Sequence, residues 1–164
     1  MTNTTTHTGL AAAARAAAAY AALTAAHEVG DFIIQRDIDA KEKGNEGGDG
    51  AVACARHVAS YTATQTLALY AADRYLHLGL DRRRAAAGLA ISAITHYVAD
   101  RCAGHWTNDT DQAPLLVRAA HKAGKGKWLA ADHRAGAMLD QAWHRGWIAI
   151  AAAVIAHTPA RPTR

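Results

Sequence analysis

Apolar and polar positions along this chain fall into four long segments with helical spacing and no strand-like alternation. The first predicted helix runs from about Leu10 to about Lys43, with a bend at Gly30. The second spans about Ala51 to Leu78 and is closed by Gly79. The third starts at "DRRR", with Asp81 as N-cap, and continues to about Ala103. The last covers about Trp128 to His157. Between the first two lies "GNEGGDG" (44–50), a glycine-rich connector without apolar residues that reads as flexible. Between the last two lies a polar stretch, 104–127, with one short helix expected at 114–123. Residues 1–8 are Thr-rich and read as a disordered tail, and 158–164 as a C-terminal tail. The middle, 9–157, reads as a single domain. Four long helices without a repeat period predict an all-α fold, most economically an antiparallel four-helix bundle with a polar site between the helices.

The polar residues that interrupt the apolar faces carry the chemistry. The first helix holds His27 and Asp31, the third holds His96 and Asp100, and the fourth holds Asp140 and His144, each pair four residues apart. That spacing puts both side chains on one helical face, one turn apart. The second helix contributes a single histidine, His57. Imidazoles and carboxylates on facing helices are a standard way to hold a divalent transition metal. The seven residues exceed the needs of one ion. Either two ions bind, or some of the seven orient ligands and move protons. Nitrogen and oxygen donors suit Zn first, with Mn, Fe or Co as alternatives. A lone His/Asp pair is commonly a surface or capping feature. Three pairs flanked by apolar residues are harder to dismiss, because burying them without a cation would be costly for each.

Other residues are weighed against that set. Gln35 extends the first stripe by a turn and Gln141 adjoins Asp140, so both are candidates beside His57 for a catalytic role. Glu28 makes "HExxD", near the zincin pattern, but points away from His27 and reads as exposed. Cys54 and Cys102 read as small core residues, and His105 has a weaker claim on the site than the seven. His7, His77, His121, His133 and His157 have no evident claim.

Composition changes the picture in three ways. Of the 164 residues, 51% are hydrophobic but only 6% aromatic, so the apolar content is mostly alanine. Alanine favours helix and buries little area. The formal charge of +4 tilts towards an anionic partner. Arg82, Arg83 and Arg84, with Lys122, Lys125 and Lys127 in "HKAGKGKW", could steer an anionic small-molecule substrate. The lysine segment reads as a mobile loop and is not a P-loop. Scattered basic residues without a recognised motif argue against nucleic acid. The alanine run in the first helix carries Arg15 and ends in His27–Glu28. It is expected to be a soluble helix, not a membrane span, and "WIAIAAAVIA" is too short to cross. The N-terminus lacks the basic region of a secretory signal, and two cysteines make no disulfide framework. A cytoplasmic location is expected, with homo-oligomerisation open.

The ordered blocks "HEVGDFIIQ", a central histidine, "HYVAD" and "LDQAWH" resemble the DUF3307 family of bacterial and phage proteins, a domain of unknown function. The resemblance covers roughly 23–150 and falls on His27, Gly30, Asp31, Gln35, His57, His96, Asp100, Asp140, Gln141 and His144. Members of that family look membrane-associated and leucine-rich, unlike this chain. The resemblance implies a site but no reaction. At Gly30 the missing side chain would let another helix or a substrate approach the ligands. The expectation is a metal-dependent hydrolase acting on a phosphate ester or another anionic small molecule. The alternative is a non-catalytic metal- or ligand-binding module, regulatory or phage-associated. A metal-dependent oxidoreductase is weaker, because the Glu-x-x-His spacing of di-iron bundles is absent.

Overall fold

The computed structural model describes residues 2–157; Met1 and 158–164, the expected C-terminal tail, lie outside the described residues. The protein is all-helical, with 81% helix and no strand among the described residues. Helix α1 (Thr2–Val29) runs into a π-helical turn (Gly30–Ile34), followed by α2 (Asp37–Glu42), α3 (Gly47–Leu76) and α4 (Arg82–Asp100). Helix α5 (Leu115–Ala120), a second π turn (His121–Lys125), α6 (Gly126–Ala131) and α7 (Ala135–Ala156) complete the chain.

Four boundaries differ from the sequence expectation, each for a physical reason. First, the threonine-rich segment is helical from Thr2. The alanine run behind it propagates helix, and each threonine costs only a fraction of that gain. Second, the first helix does more than bend at Gly30. It widens into the π turn and then breaks where Gln35 and Arg36 become extended, with ψ of 131° and 141°. Third, the connector glycines serve packing. A Cβ on Gly44 would collide with the Ala103 carbonyl and one on Gly50 with the Asn45 carbonyl. Residues 47–50 already belong to α3. Arg101 Nη1 donates to the Lys43 carbonyl at 2.6 Å, and His105 Nε2 lies 2.8 Å from the Gly44 carbonyl. Fourth, the short helix expected at 114–123 is present as α5, and the lysine segment expected as a mobile loop is helical as well, in the second π turn and the start of α6. Val117 and Leu129 pack with Cys102, Trp106, Ala113 and Ala135 into a small second core. The last helix is split at Asp132, whose backbone is extended and whose carboxylate accepts from the Arg134 N–H at 2.9 Å.

The start of α4 is as predicted. Asp81 accepts from the backbone N–H groups of Arg83 and Arg84, at 3.0 Å each.

Helix α1 packs against α3 and α7, α3 against α4, and α4 against α7. The main core gathers Ala19 and Leu23 of α1, Leu69 of α3, and Ile148, Ala151, Ala152 and Ile155 of α7, with Leu89 and Ile91 of α4 against it. Small residues allow close approach there: a Cβ on Gly88 would stand 2.8 Å from the Ala151 carbonyl oxygen. Along α4 the order is main core, then His96 and Asp100, then the second core at Cys102. Along α7 it is Ala135 of the second core, then His144, then the main core. The polar residues thus lie between two apolar clusters, which seal them from both sides. Among the described residues one segment, Gly9–Ile34, is long and apolar enough to cross a membrane by length and composition; it carries His27 and Asp31.

Candidate metal centre

All seven sequence-predicted ligands come together. His27, His57, His96, Asp100 and His144 are buried, while Asp31 and Asp140 are partly covered. The π turn places Asp31: Gly30 lies against Tyr61, where a Cβ would sit 3.2 Å from Tyr61 Cδ2, so α3 approaches closely at this point. π turns of this kind are frequent at functional sites.

The innermost donors are His57 Nε2, His96 Nε2, Asp31 Oδ1 and Asp100 Oδ2. The two nitrogens are 2.9 Å apart. His57 Nε2 is 3.4 Å from Asp31 Oδ1 and 3.2 Å from Asp100 Oδ2; His96 Nε2 is 3.5 Å and 3.3 Å from the same two oxygens. A tetrahedral shell with bonds of about 2.0–2.1 Å has donor–donor edges of roughly 3.3–3.4 Å. Five of its six edges are therefore present, between 2.9 and 3.5 Å. Despite this proximity, Asp31 Oδ1 and Asp100 Oδ2 make no hydrogen bond. The two imidazole nitrogens are within hydrogen-bond distance of each other, while the two carboxylate oxygens beside them are left without a partner. Unsatisfied buried carboxylate oxygens are costly, and a cation is the group that would satisfy them.

Residues behind the donors orient them. With its amide turned to suit its surroundings, Gln35 donates to the Asp31 backbone carbonyl at 3.2 Å. Its Oε1 then accepts from His57 Nδ1 at 3.3 Å and from Lys43 Nζ at 3.2 Å. A proton held on Nδ1 leaves the His57 Nε2 lone pair free for a ligand. Gln141 Oε1 faces His27 Nε2 at 3.1 Å, and His27 Nδ1 is 3.4 Å from Asp31 Oδ2. Tyr61 stacks on His96 with ring centroids 3.8 Å apart, and its hydroxyl is 2.8 Å from Ser92 Oγ. Lys43 Nζ makes an ion pair with Asp100 Oδ1 at 2.9 Å. A cavity of about 390 Å³ opens beside this pair, lined among others by Lys43, Asp100, Trp106, His133 and Asp140.

Electrostatics prepare the donors for a metal. Burial pushes His96 down to about 4, against the pull of Asp100, and lowers His27 as well. Burial alone would raise Asp31 and Asp100, but the neighbouring imidazoles, with Lys43 for Asp100, hold both carboxyls below the usual carboxylate range. At neutral pH, His27 and His96 are neutral and both carboxylates charged, the states a cation requires. His144 runs the other way. Burial lowers it, but Asp140, then Asp100 and Asp31, raise it above the ordinary value.

A pH dependence follows for the metal-free protein. The unfolded chain takes up a proton at His96 near 6.5 and the folded chain only near 4. Between these values the unfolded state binds more protons, so stability falls as pH falls. The difference of about 2.5 in pKa corresponds to roughly 3 kcal/mol. His27 adds in the same direction. The raised His144 contributes fully below 6.5, and the carboxylate contributions are lost only below about 3.8, so neither reverses the sign in this window. Urea midpoints of chelator-treated protein at pH 6.5 and 4.5 measure the effect; equal midpoints would show that the buried imidazoles protonate freely.

Other predicted residues fall elsewhere. Arg82, Arg83 and Arg84 begin α4, about 25 Å along its axis from Asp100 at its other end. Lys122, Lys125 and Lys127 lie on the second π turn and α6, none of them lining the cavity beside Asp100. His105 pins the connector through Gly44. Cys54 and Cys102 are buried, and burial pushes their thiols up to about 12 and about 11, as expected of core residues. Glu28 pairs with Arg145 Nη2 at 3.0 Å on the surface.

The sequence reading missed three participants. Tyr61 follows His57 by four residues and Ser92 precedes His96 by four, so both continue the polar stripes by one turn, as Gln35 continues the first. Lys43 sits beyond the helix break and carries no spacing signal. Comparison with family models, curated proteins and solved structures finds no match for the chain.

Proposed function

We propose that the protein is a metal-dependent hydrolase acting on an anionic small molecule, phosphate esters being the first class to test. The observation that carries this reading is the set of donors Asp31, His57, His96 and Asp100, five of whose six separations lie between 2.9 and 3.5 Å, next to a cavity lined in part by Lys43. These residues would hold the cation, zinc by donor type and spacing. A bound cation supplies a water of lowered pKa and polarises the scissile group. Lys43 offers its charge to the anion, the role expected of the arginines and lysines named above. The order of clusters along each helix supports an antiparallel four-helix bundle: α1 and α4 run from the main core towards the site, α3 and α7 away from it. A relation to the DUF3307 family is proposed on the motif blocks alone, and a cytoplasmic location on the two buried free thiols.

A second reading has its own support. Four protein donors, three of them buried and Asp31 partly covered, would fill all the positions of a structural ion that staples a thin, alanine-rich interior. One experiment separates the two. The purified protein is analysed for bound metal and assayed against chromogenic phosphomonoesters and diesters, with and without chelator. Bound metal with chelator-sensitive turnover supports the hydrolase. Bound metal without turnover supports the staple, and protein that neither carries nor takes up metal overturns both.

A further inference from the structure

We propose that a second cation binds at Asp100, Asp140 and His144, sharing the Asp100 carboxylate with the first. This rests on the inner donors holding a cation, and it gives the centre the open position that the inner shell lacks.

The geometry divides Asp100 between two sets of partners. Its Oδ2 faces His57 and His96 at 3.2 and 3.3 Å, as above. Its Oδ1 turns the other way, 3.9 Å from His144 Nε2. Asp140 Oδ2 lies 3.2 Å from that same nitrogen, one helical turn away on α7. One donor atom from each of these three residues lies within 4.8 Å of the others. His144 and His96 are stacked, centroids 4.1 Å apart and planes 29° off parallel. The two rings therefore present their Nε2 atoms side by side to opposite oxygens of one carboxylate. That is the arrangement of a carboxylate bridging two ions about 3.5–4 Å apart.

The independent sign of a ligand is His144 itself. Its side chain is 1% exposed, and its Nε2 makes no hydrogen bond even though Asp140 is within 3.2 Å. A buried imidazole nitrogen that meets carboxylates at 3.2 and 3.9 Å without a well-aligned hydrogen bond leaves room for a cation between them. Asp140, by contrast, is 21% exposed and lines the 390 Å³ cavity with Asp100. Three protein donors with one face towards a cavity are the pattern of a catalytic ion, which keeps a position for water or substrate.

Lys43 sets the strength of this site. Its ammonium sits on Asp100 Oδ1, the oxygen assigned to the second cation, and it borders the cavity. Loading the second ion requires that ion pair to open, so the second ion binds more weakly than the first. Lys43 is then released into the cavity, where it meets an anionic substrate.

The test is a titration of metal-stripped protein with Zn²⁺, followed by calorimetry and elemental analysis. Two ions per chain are expected in the wild type, in two steps of unequal affinity. Asp140→Asn is expected to keep only the tighter ion, with helical content unchanged by circular dichroism. His144→Gln is the second variant should the first not fold. Lys43→Met is expected to tighten the second step by about tenfold or more. A single ion in the wild type, or two in Asp140→Asn and His144→Gln alike, overturns the second site and leaves the inner one standing. No bound ion in the wild type removes the metal reading as a whole.

Discussion

On the proposed reading of a metal-dependent hydrolase, Asp100→Asn is expected to empty the centre and lower hydrolytic turnover by well over the roughly 10–100-fold that loss of a residue behind a ligand costs. Asp100 is the carboxylate that reaches His57, His96, Lys43 and His144 at once. One oxygen faces His57 and His96, the other pairs with Lys43, and the group is only 1% exposed. The amide is isosteric, so shape is kept while the charge is removed. Its NH₂ would point a donor either at the imidazole nitrogens or at the Lys43 ammonium, and neither choice suits a cation. Metal content per chain and kcat/KM on the best phosphoester measure the effect together. Full metal retention with unaltered turnover would mean that the convergence on Asp100 has no bearing on the chemistry.

Removal of the cation is expected to lower the melting temperature by about 8–16 °C. At a thousandfold excess over Kd a bound ion adds about 4 kcal/mol to stability, and a domain of this size shifts by roughly 2–4 °C per kcal/mol. The physical source is visible in the donors. Without a cation, Asp31 and Asp100 repel each other across the imidazoles, and each leaves one oxygen without a hydrogen bond. Scanning calorimetry with and without chelator checks this, with His57→Ala as the control that should respond little to chelator. Equal melting temperatures for chelated and loaded wild type would show that the buried polar groups satisfy one another.

How far the sequence disclosed this arrangement depends on the range of each interaction. The His/Asp pairs were legible because a spacing of four residues fixes a shared helical face without knowledge of the partner helix. Their convergence was legible because each pair interrupts an apolar face, and such faces must meet. The cap at Asp81 was equally local. The break at Gln35 and Arg36 was hidden, since nothing in "IIQRDIDA" opposes helix strongly; it arises where the π turn must fit under Tyr61. Lys43 was hidden for the same reason, because its place depends on Arg101 and His105 pinning the connector from far along the chain. The lysine segment of 104–127 looked like a mobile loop because glycines and lysines alternate there, while the short helix before it was legible. Trp106, Val117 and Leu129 suffice to fold it once Cys102 and Ala135 supply the other wall.

The alanine content takes on a mechanical meaning at the centre. Ala26, Ala53 and Ala99 stand within a turn of His27, His57 and His96 and are all buried, as is Ala151 lower on α7. Such small walls bring the helix axes near, and an imidazole or a short carboxylate can then span from backbone to midpoint. Bulkier walls would hold the axes further apart and leave the same side chains short of a common point. The thinness of the interior is therefore a ruler: it trades hydrophobic area for reach, and how near the imidazoles and carboxylates come to one another is set by residues that carry no polar group.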